Sequence, residues 1–520
     1  MTSLTRRLPG FAASHMDSSL LIPMLLLVAA FAMRWPFLGH PMIHVDEQFY
    51  LLAGQRMVEG WLPYVDFWDR KPVGLFLIFG AIRLMGGDGI VQYQLVATLF
   101  AAATAHAVYL IARRSVLPSA AFAAALIYVA MLAPINGAGG QSPVFYNLFI
   151  AWSALLVLRA SDAPSEAAFR RYGCAAMISA GLALQVKYVA VVEGVFLGLW
   201  LLWTARGRFP GLTAILARGT WFAGAALLPT LAAAVWFAAV GAFQPFLQAN
   251  FVSIFQREAA PVGFERDALM HSFRLLAFPF ACTLAALMVS WARGIDRDRT
   301  FLLLWLVSAI GGFLAIGNYF DHYALPLLLP MSVILARLFA VRLAGPLIFA
   351  LLFSQATVFG VLRYSPTSKG RAITAAMTAD IESATAAGEC LFVADTPMVL
   401  YLTSQGCAPW QYSFPFHLTD GTEAGAGGRN QPHAMRAILD ARPGAIVTGA
   451  PHFTPTIQQY NMTLLKQRLD SDYFVVGRYP DRGRVYSVWI RRDLLPASQQ
   501  NRIAFGNPAP AGDRQPPGAD

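Results

Sequence analysis

The chain has 520 residues, of which 57% are hydrophobic and only 13% charged, and its mean hydropathy is +0.51. Soluble globular proteins carry about 25% charged residues, so the composition excludes an ordinary soluble protein and indicates a bilayer as the solvent. The net charge of +10 does not indicate a nucleic-acid partner, because the Lys and Arg residues lie between apolar runs, as in the cytoplasmic loops of membrane proteins.

Eleven apolar runs approach the roughly 20 residues that a membrane span needs. They follow a short segment, 1–19, that we expect in the cytoplasm, and the first run is expected to be a signal anchor rather than a cleaved signal peptide. The runs are 20–38, 90–112, 118–134, 143–158, 173–188, 189–204, 219–241, 269–291, 300–317, 323–341 and 344–362. We therefore predict an all-α polytopic membrane protein with about eleven transmembrane helices.

The most informative stretch directly follows the first span and runs from His44-Val-Asp-Glu-Gln-Phe-Tyr to Trp68-Asp-Arg-Lys-Pro72. An apolar residue recurs every four positions from Phe49 to Trp61, which predicts a helix lying in the membrane surface. Asp46 and Glu47 open this helix. Their position has a structural interpretation, since carboxylates suit a helix N-terminus, and a functional one, in which Asp46 is a general base.

A further apolar run, 73–86, is too short to cross the membrane. If it does not cross, Arg113 and Arg114 lie on the same side as Arg6 and Arg7, as the positive-inside bias requires. We therefore predict an interfacial or re-entrant segment here. The segments expected outside the cytoplasm are 39–89, 135–142, 242–268, 318–322 and the chain from Arg363 onward.

Three more polar residues lie at predicted outer ends of spans. Lys187 occupies the hairpin Gln185-Val-Lys-Tyr, where an ionisable residue near membrane depth is a functional candidate, although it can equally snorkel to the headgroups. His322 and Tyr323 open the tenth span, where Tyr is commonly an interfacial belt residue.

Residues 364–495 are predicted to form a small extramembrane α/β domain after the transmembrane module 20–363. Its strands begin at Leu391, Ala445, Tyr473 and Val485. The tail 496–520 is rich in Pro, Gly, Ala and Gln and is predicted to be disordered.

Cys390 and Cys407 flank a predicted short helix and begin two predicted neighbouring strands. This arrangement brings their Cα atoms close enough for a disulfide, which an oxidising periplasm permits. We therefore predict that they are bonded.

The motifs resemble those of the GT-C glycosyltransferases, in particular the protein O-mannosyltransferases and the lipid A aminoarabinose transferases. The resemblance covers roughly residues 20–450. The motifs that carry it are Asp46-Glu47 with Tyr50 and Ala53, then Lys71-Pro72, and Asn318-Tyr-Phe-Asp-His-Tyr with Leu325-Pro326 and Pro330.

The resemblance implies a reaction in which an acceptor hydroxyl attacks the anomeric carbon of a sugar carried by a polyprenyl phosphate, with inversion. Such chemistry needs a base and cations near the leaving phosphate. Asp46 matches the family's catalytic acidic position, and Glu47 is assigned to shaping the site, because neighbours on a helix point about 100° apart. The candidates for donor-phosphate binding are Lys71, Arg70, His322, Tyr323 and Lys187.

Two departures from the family pattern are visible. Many members carry an Arg early in the second span, where this chain has Gln92 and Gln94, and a second acidic residue in the next outer loop, where this chain has Gln141 and Asn147. A divalent metal prefers several hard oxygen ligands. We therefore expect no tightly held metal and no cofactor.

The expected partners are a polyprenyl-phosphate-linked sugar, membrane lipids and an acceptor that the sequence leaves open: lipid A, core oligosaccharide, a surface polysaccharide or a protein. The expected location is a bacterial inner membrane, with the active site and the C-terminal domain in the periplasm. A lipid or polysaccharide transporter remains an alternative, although it predicts intramembrane charges and usually repeats. A non-catalytic envelope assembly protein is the other, and it would tolerate loss of Asp46 and Lys71.

Overall fold

The computed structural model describes residues 20–208, 211–291, 296–315, 317–385, 388–404, 407–426, 430–454 and 456–495. The predicted cytoplasmic segment 1–19 and the predicted disordered tail 496–520 lie outside the described residues. The first fourteen helices are α1 (Leu21–Arg34), α2 (Val45–Val58), α3 (Val73–Arg83), α4 (Ile90–Ala112), α5 (Pro118–Leu132), α6 (Ser142–Ser161), α7 (Glu166–Leu184), α8 (Val191–Arg208), α9 (Leu212–Ala239), α10 (Phe243–Leu247), α11 (Val262–Trp291), α12 (Arg297–Ala315), α13 (Leu328–Phe339) and α14 (Ala344–Arg363).

Each of the eleven predicted spans coincides with a helix. Nine helical segments in the described part of the chain are long and apolar enough to cross a membrane. Two predicted spans are not among these nine: the helical stretch Leu21–Phe37 is shorter, and α7 carries Glu166, Arg170 and Arg171 in its first turns. The structure confirms the predicted class, an α-helical polytopic membrane protein.

The helix α3 does not carry the chain across the bundle. Arg34, the last residue of α1, donates to Thr98 Oγ1 in the third turn of α4 (3.0 Å), and Gln94 in the second turn of α4 donates to the His40 carbonyl (3.0 Å). The end of α1 therefore lies beside the first turns of α4. The chain between them therefore leaves and rejoins the bundle at the same end, while the interfacial or re-entrant assignment of 73–86 stays a prediction. We call this end, which also carries Asp46, the site end.

The opposite end of the bundle, which we call the arginine end, carries a second group of charges. Arg114 Nη1 lies 2.7 Å from Asp162, and its Nε lies 2.8 Å from Asp298. Arg297 also pairs with Asp162. A cavity of about 880 Å³ opens beside these residues.

The C-terminal part follows α15 (Thr367–Thr385) and contains one four-stranded sheet. The remaining elements are β1 (Leu391–Val393), α16 (Leu400–Thr403), α17 (Phe416–Thr419), α18 (Gln431–Asp440), β2 (Ala445–Ala450), α19 (Gln459–Asp472), β3 (Tyr473–Asp481) and β4 (Arg484–Arg491). The strand order is β1-β2-β4-β3, with β1 parallel to β2 and the other pairs antiparallel. All four predicted strands are present.

The two cysteines of this part lie side by side. Cys390 and Cys407 form a bridge between adjacent backbone segments, with their Cα atoms 4.5 Å apart and their sulfurs bonded. Counting alkylatable thiols in the protein isolated without reductant is the direct test of this pair in solution.

Candidate active site

The site begins at the N-terminus of α2, where the chain leaves the first span. His44 has an extended backbone, and its Nδ1 accepts a hydrogen bond from the N–H of Asp46 (3.3 Å), which caps the helix. Residues 47–54 are all buried. The predicted surface helix is therefore covered by protein around its first three turns, and this rigid setting fixes the direction of Asp46.

Asp46 lies at the centre of a polar cluster. Gln141 Nε2 donates to Asp46 Oδ2 (3.2 Å), and His322 Nε2 lies 3.8 Å from the same oxygen. Burial alone would raise the pKa of this carboxyl, but Lys71, His44 and His322 outweigh it and hold the pKa below its ordinary value. Asp46 is therefore an ionised carboxylate at neutral pH, and its side chain is still 17% exposed.

Glu47 has different surroundings from its neighbour. Its side chain is fully buried against Gly139, where any side chain would collide with the carboxyl oxygens. Burial raises the pKa of Glu47 to about 8, although Gly140, Tyr93 and Arg34 act in the opposite direction. Glu47 is therefore largely neutral at pH 7, which separates the two adjacent acids chemically as well as in direction.

Lys71 reaches the cluster from the loop between α2 and α3. Asp69, itself 1% exposed, accepts the Lys71 backbone N–H (2.7 Å), and its Oδ1 lies 3.6 Å from Lys71 Nζ. Burial acts to lower the pKa of Lys71, but Asp69 and Asp46 outweigh it and raise it. Lys71 is therefore a positioned cation, with a side chain that is 20% exposed.

Lys187 approaches from the turn between α7 and α8. Its Nζ lies 3.9 Å from the centre of the Tyr323 ring, and the His322 ring packs at 4.5 Å from that of Tyr323. Burial, with the nearby charge of Lys71, lowers the pKa of Lys187 to about 7. Four segments distant in sequence thus bring a carboxylate, two lysines and a histidine together.

Arg70 is held differently from the other predicted phosphate ligands. Its guanidinium binds both carboxyl oxygens of Glu423, with Nη1 at 2.8 Å from Oε1. Arg257 Nε lies 3.1 Å from the same oxygen. Glu423 therefore joins both arginines, and the loop that carries Arg70, to the C-terminal domain. This contact favours a role for Arg70 in holding that loop in place over the predicted contact with the donor phosphate.

Several functional contacts were not foreseen from the sequence. The sequence indicates Gln141 only as the replacement of a family acid, yet its side chain donates a hydrogen bond to Asp46. The glutamine in the expected arginine position, Gln94, binds the carbonyl of His40 (3.0 Å). Arg34 supplies a buried cation from α1 instead, donating to the carbonyls of Gly137 (2.8 Å) and Gly139 (2.6 Å), and so shapes the loop under Glu47.

Comparison with known proteins is consistent with this architecture. Residues 69–237 match the family model described as dolichyl-phosphate-mannose-protein mannosyltransferase, a stretch that includes Lys71, Gln141 and Lys187. No curated protein matches the sequence.

The fold is that of the GT-C glycosyltransferases. The structure of ArnT from Cupriavidus metallidurans bound to undecaprenyl phosphate is 17% identical to this chain in sequence, with a TM-score of 0.60. The apo structure of the same protein is 16% identical, with a TM-score of 0.59. Each match covers 90% of this chain and 97% of the ArnT chain. The apo oligosaccharyltransferase of Archaeoglobus fulgidus is 12% identical, with a TM-score of 0.50, over 84% of this chain and 70% of that chain. The resemblance stated from the sequence motifs is confirmed.

Proposed function

We propose that this protein transfers a glycosyl unit from a polyprenyl phosphate to an acceptor hydroxyl at the outer face of the membrane. The observation that carries the proposal is the convergence of ionised Asp46 with Lys71 and Lys187 at one end of a GT-C fold. The donor class is supported by the undecaprenyl phosphate bound to the ArnT neighbour and by the polyprenyl donor named in the matching family model.

In the proposed reaction, Asp46 accepts the proton of the acceptor hydroxyl while the oxygen attacks the anomeric carbon. The bond between that carbon and the phosphate oxygen breaks, and the phosphate leaves with the electron pair, so the configuration inverts. A base already ionised at neutral pH suits this step, and fixed cations stabilise the charge that develops on the leaving group.

The other site residues have supporting roles in the proposal. Lys71 and Lys187 bind the donor phosphate, with His322 and Tyr323 beside them. Neutral Glu47 shapes the loop at Gly139. Because the two lysines supply positive charge and only one of the adjacent acids is ionised, we expect transfer to need no divalent metal, and chelation with EDTA should leave the rate unchanged.

The proposed topology puts the active site and the domain 364–495 in the periplasm of a bacterial inner membrane, with 20–363 as the catalytic module. The sugar can be a hexose or a pentose, and the acceptor can be a lipid, a glycan or a protein. Reporter fusions test the topology: Asp88 should lie outside and Ser115 inside.

The experiment that tests the function uses the full-length protein in lipid nanodiscs with radiolabelled sugar on undecaprenyl phosphate. Envelope material from a deletion strain serves as the acceptor, and mass spectrometry of the envelope glycans of that strain identifies the missing sugar. Transfer that depends on the protein is expected. An unchanged envelope together with no transfer from any polyprenyl-linked sugar would contradict the proposal.

A further inference from the structure

One edge of the C-terminal sheet faces the start of α2. The strands β1 and β2 are parallel, so their carboxyl ends lie at the same edge. In the segment after β1, the N–H of Val399 donates to Gln48 Oε1 in α2 (3.1 Å). After β2, the ring of Phe453 lies 6.4 Å from the ring of His44, the residue that caps α2 by accepting the Asp46 N–H. In open α/β sheets the carboxyl edge of parallel strands is where ligands bind.

This edge presents an aromatic ring that is fixed but not covered. Phe453 is 41% exposed, although it packs almost parallel to Phe416, with ring centres 5.1 Å apart. The guanidinium of Arg484 lies 5.4 Å from the centre of the Phe453 ring. An exposed ring held on protein contacts is a ready-made surface on which another flat apolar face can pack.

Polar groups that the proposed transfer chemistry does not use surround this ring. Asp395, which is 4% exposed, accepts from Arg484 Nη2 (2.9 Å) and lies 3.6 Å from His452 Nδ1. Within the described residues, Asp395 Oδ1 and Arg484 Nε are buried without a hydrogen-bond partner. The polar side chains that a ligand can reach beside the ring are His452, which is 34% exposed, and Arg484, which is 17% exposed.

We propose that this edge binds a sugar ring of the acceptor, so that the acceptor of the proposed transfer is a glycan. The apolar face of the sugar packs on Phe453, and its hydroxyls bond to His452 and Arg484, which Asp395 orients, directly or through a bridging water. This places the sugar next to His44 and thus beside Asp46. The identification of this sugar as the acceptor rests on the proposed function, whereas the binding of a sugar ring at this edge does not depend on it.

The chemistry of this edge favours a sugar over the other acceptor classes. An acyl chain needs continuous apolar surface, whereas here a single exposed ring stands among charged groups. An extended peptide binds through backbone groups along a strand edge, whereas the groups that surround Phe453 are side chains. A sugar offers both an apolar face and several hydroxyls within the width of one ring.

The test is saturation-transfer difference NMR with methyl α-mannoside, methyl α-glucoside and methyl N-acetylglucosaminide, on the full-length protein in nanodiscs. At least one glycoside should bind the wild type, with signals from one face of its ring. Phe453→Ala should weaken binding by about two- to tenfold, the range expected for one aromatic packing contact, and Phe453→Tyr should restore it. Tyr460→Ala is the matched control, because Tyr460 is 42% exposed and packs against Arg436 at 5.3 Å in the same domain.

Asp46→Asn separates this inference from the proposed function. The variant should bind the glycoside as the wild type does while failing to transfer sugar. If the wild type binds the glycoside but never transfers, the proposed function falls and the sugar site stands. The sugar site is overturned if no glycoside binds the wild type, or if Phe453→Ala and Tyr460→Ala bind the glycoside equally well. It is also overturned if Phe453→Ala loses binding of a Ser/Thr peptide but keeps binding of the glycoside.

Discussion

The two ends of the helical bundle both gather charged residues but treat them differently. At the arginine end, Arg114 and Arg297 share Asp162 and Asp298, and these side chains are 23–43% exposed. At the site end, Lys71 and Asp46 are 20% and 17% exposed. In the described part of the chain no carboxylate lies within ion-pairing distance of Lys187. Paired, exposed charges are typical of a solvated surface, whereas a buried lysine with no carboxylate in ion-pairing reach, as Lys187 is among the described residues, indicates a place for an anion.

The largest contrast between the two ends is expected from Asp46→Asn. Asparagine has nearly the same shape but cannot accept the proton, and general-base catalysis contributes on the order of a hundred- to ten-thousandfold in rate. The turnover number for sugar transfer should fall by that factor while the protein stays folded and binds donor lipid. Initial rates in nanodiscs measure the effect.

Asp298→Asn is the matched control, since it removes a carboxylate from the arginine end. It should leave transfer unchanged. Near wild-type transfer by Asp46→Asn, or an equal loss in both variants, would contradict the role of Asp46 as the base.

Lys71→Ala should have the next largest effect. A hydrogen bond to a charged group contributes about 1.5–3 kcal/mol, so kcat/KM for the donor should fall roughly ten- to a hundredfold, without a matching loss of protein abundance. Lys71→Arg should retain part of the activity because it keeps the charge. Arg114→Ala, the control at the arginine end, should not change donor use; if Lys71→Ala behaves like it, Lys71 is an interfacial anchor.

Lys187 should give the reaction an alkaline limit. Its pKa of about 7 means that the free protein loses this positive charge as pH rises through 7, while Asp46, with its lowered pKa, stays ionised. The kcat/KM for the donor should therefore fall a few-fold on the alkaline side. Lys187→Arg should remove the decline, because arginine stays charged. A decline that is identical in both proteins would assign it to another group.

The smallest expected effect concerns the contact between the site end and the C-terminal domain. Glu423→Gln removes the charge that holds Arg70 and Arg257, and should cost about 1–3 kcal/mol of stability, seen as a lower melting temperature and faster proteolysis of residues 364–495. Glu389→Gln, which removes the charge of a carboxylate that is 27% exposed where it pairs with Arg491, against 8% for Glu423, should cost less. Equal shifts would show that the Glu423 bridge has no special importance.

Sequence patterns predicted the parts of the molecule that depend on local order. Apolar runs predicted the helices, and short β-branched and aromatic runs such as 445–448 predicted the strands. The motif at Asp46 and the lysine at 71 were predicted because each stands in a recognisable position relative to a span. The structure brings both together with Lys187, a candidate because it is ionisable near membrane depth, and with His322 from the second motif.

Contacts across the chain could not be predicted. Arg70 meets Glu423 across 353 residues, and nothing near Glu423 in the sequence marks it as a partner. The contacts of Gln141 could not be predicted, because an amide in place of a family acid indicates only a lost charge, whereas its Nε2 contacts both Asp46 Oδ2 and His44 Nδ1. Phe453 was equally invisible, since its position beside His44 depends on how the sheet docks against α2.

The docking of the sheet on α2 also sets an order of assembly during biosynthesis. The N–H of Val399 donates to the Gln48 side chain. Ser365 Oγ lies within hydrogen-bonding distance of His40 Nε2 (3.1 Å) and donates to Asp481 Oδ2 (3.2 Å). The ribosome makes Asp46 early, but these supports are synthesised more than 300 residues later. A nascent chain that has inserted its last span, which ends at Arg363, therefore still lacks the contacts that hold the start of α2, and these form only once the C-terminal part has been made.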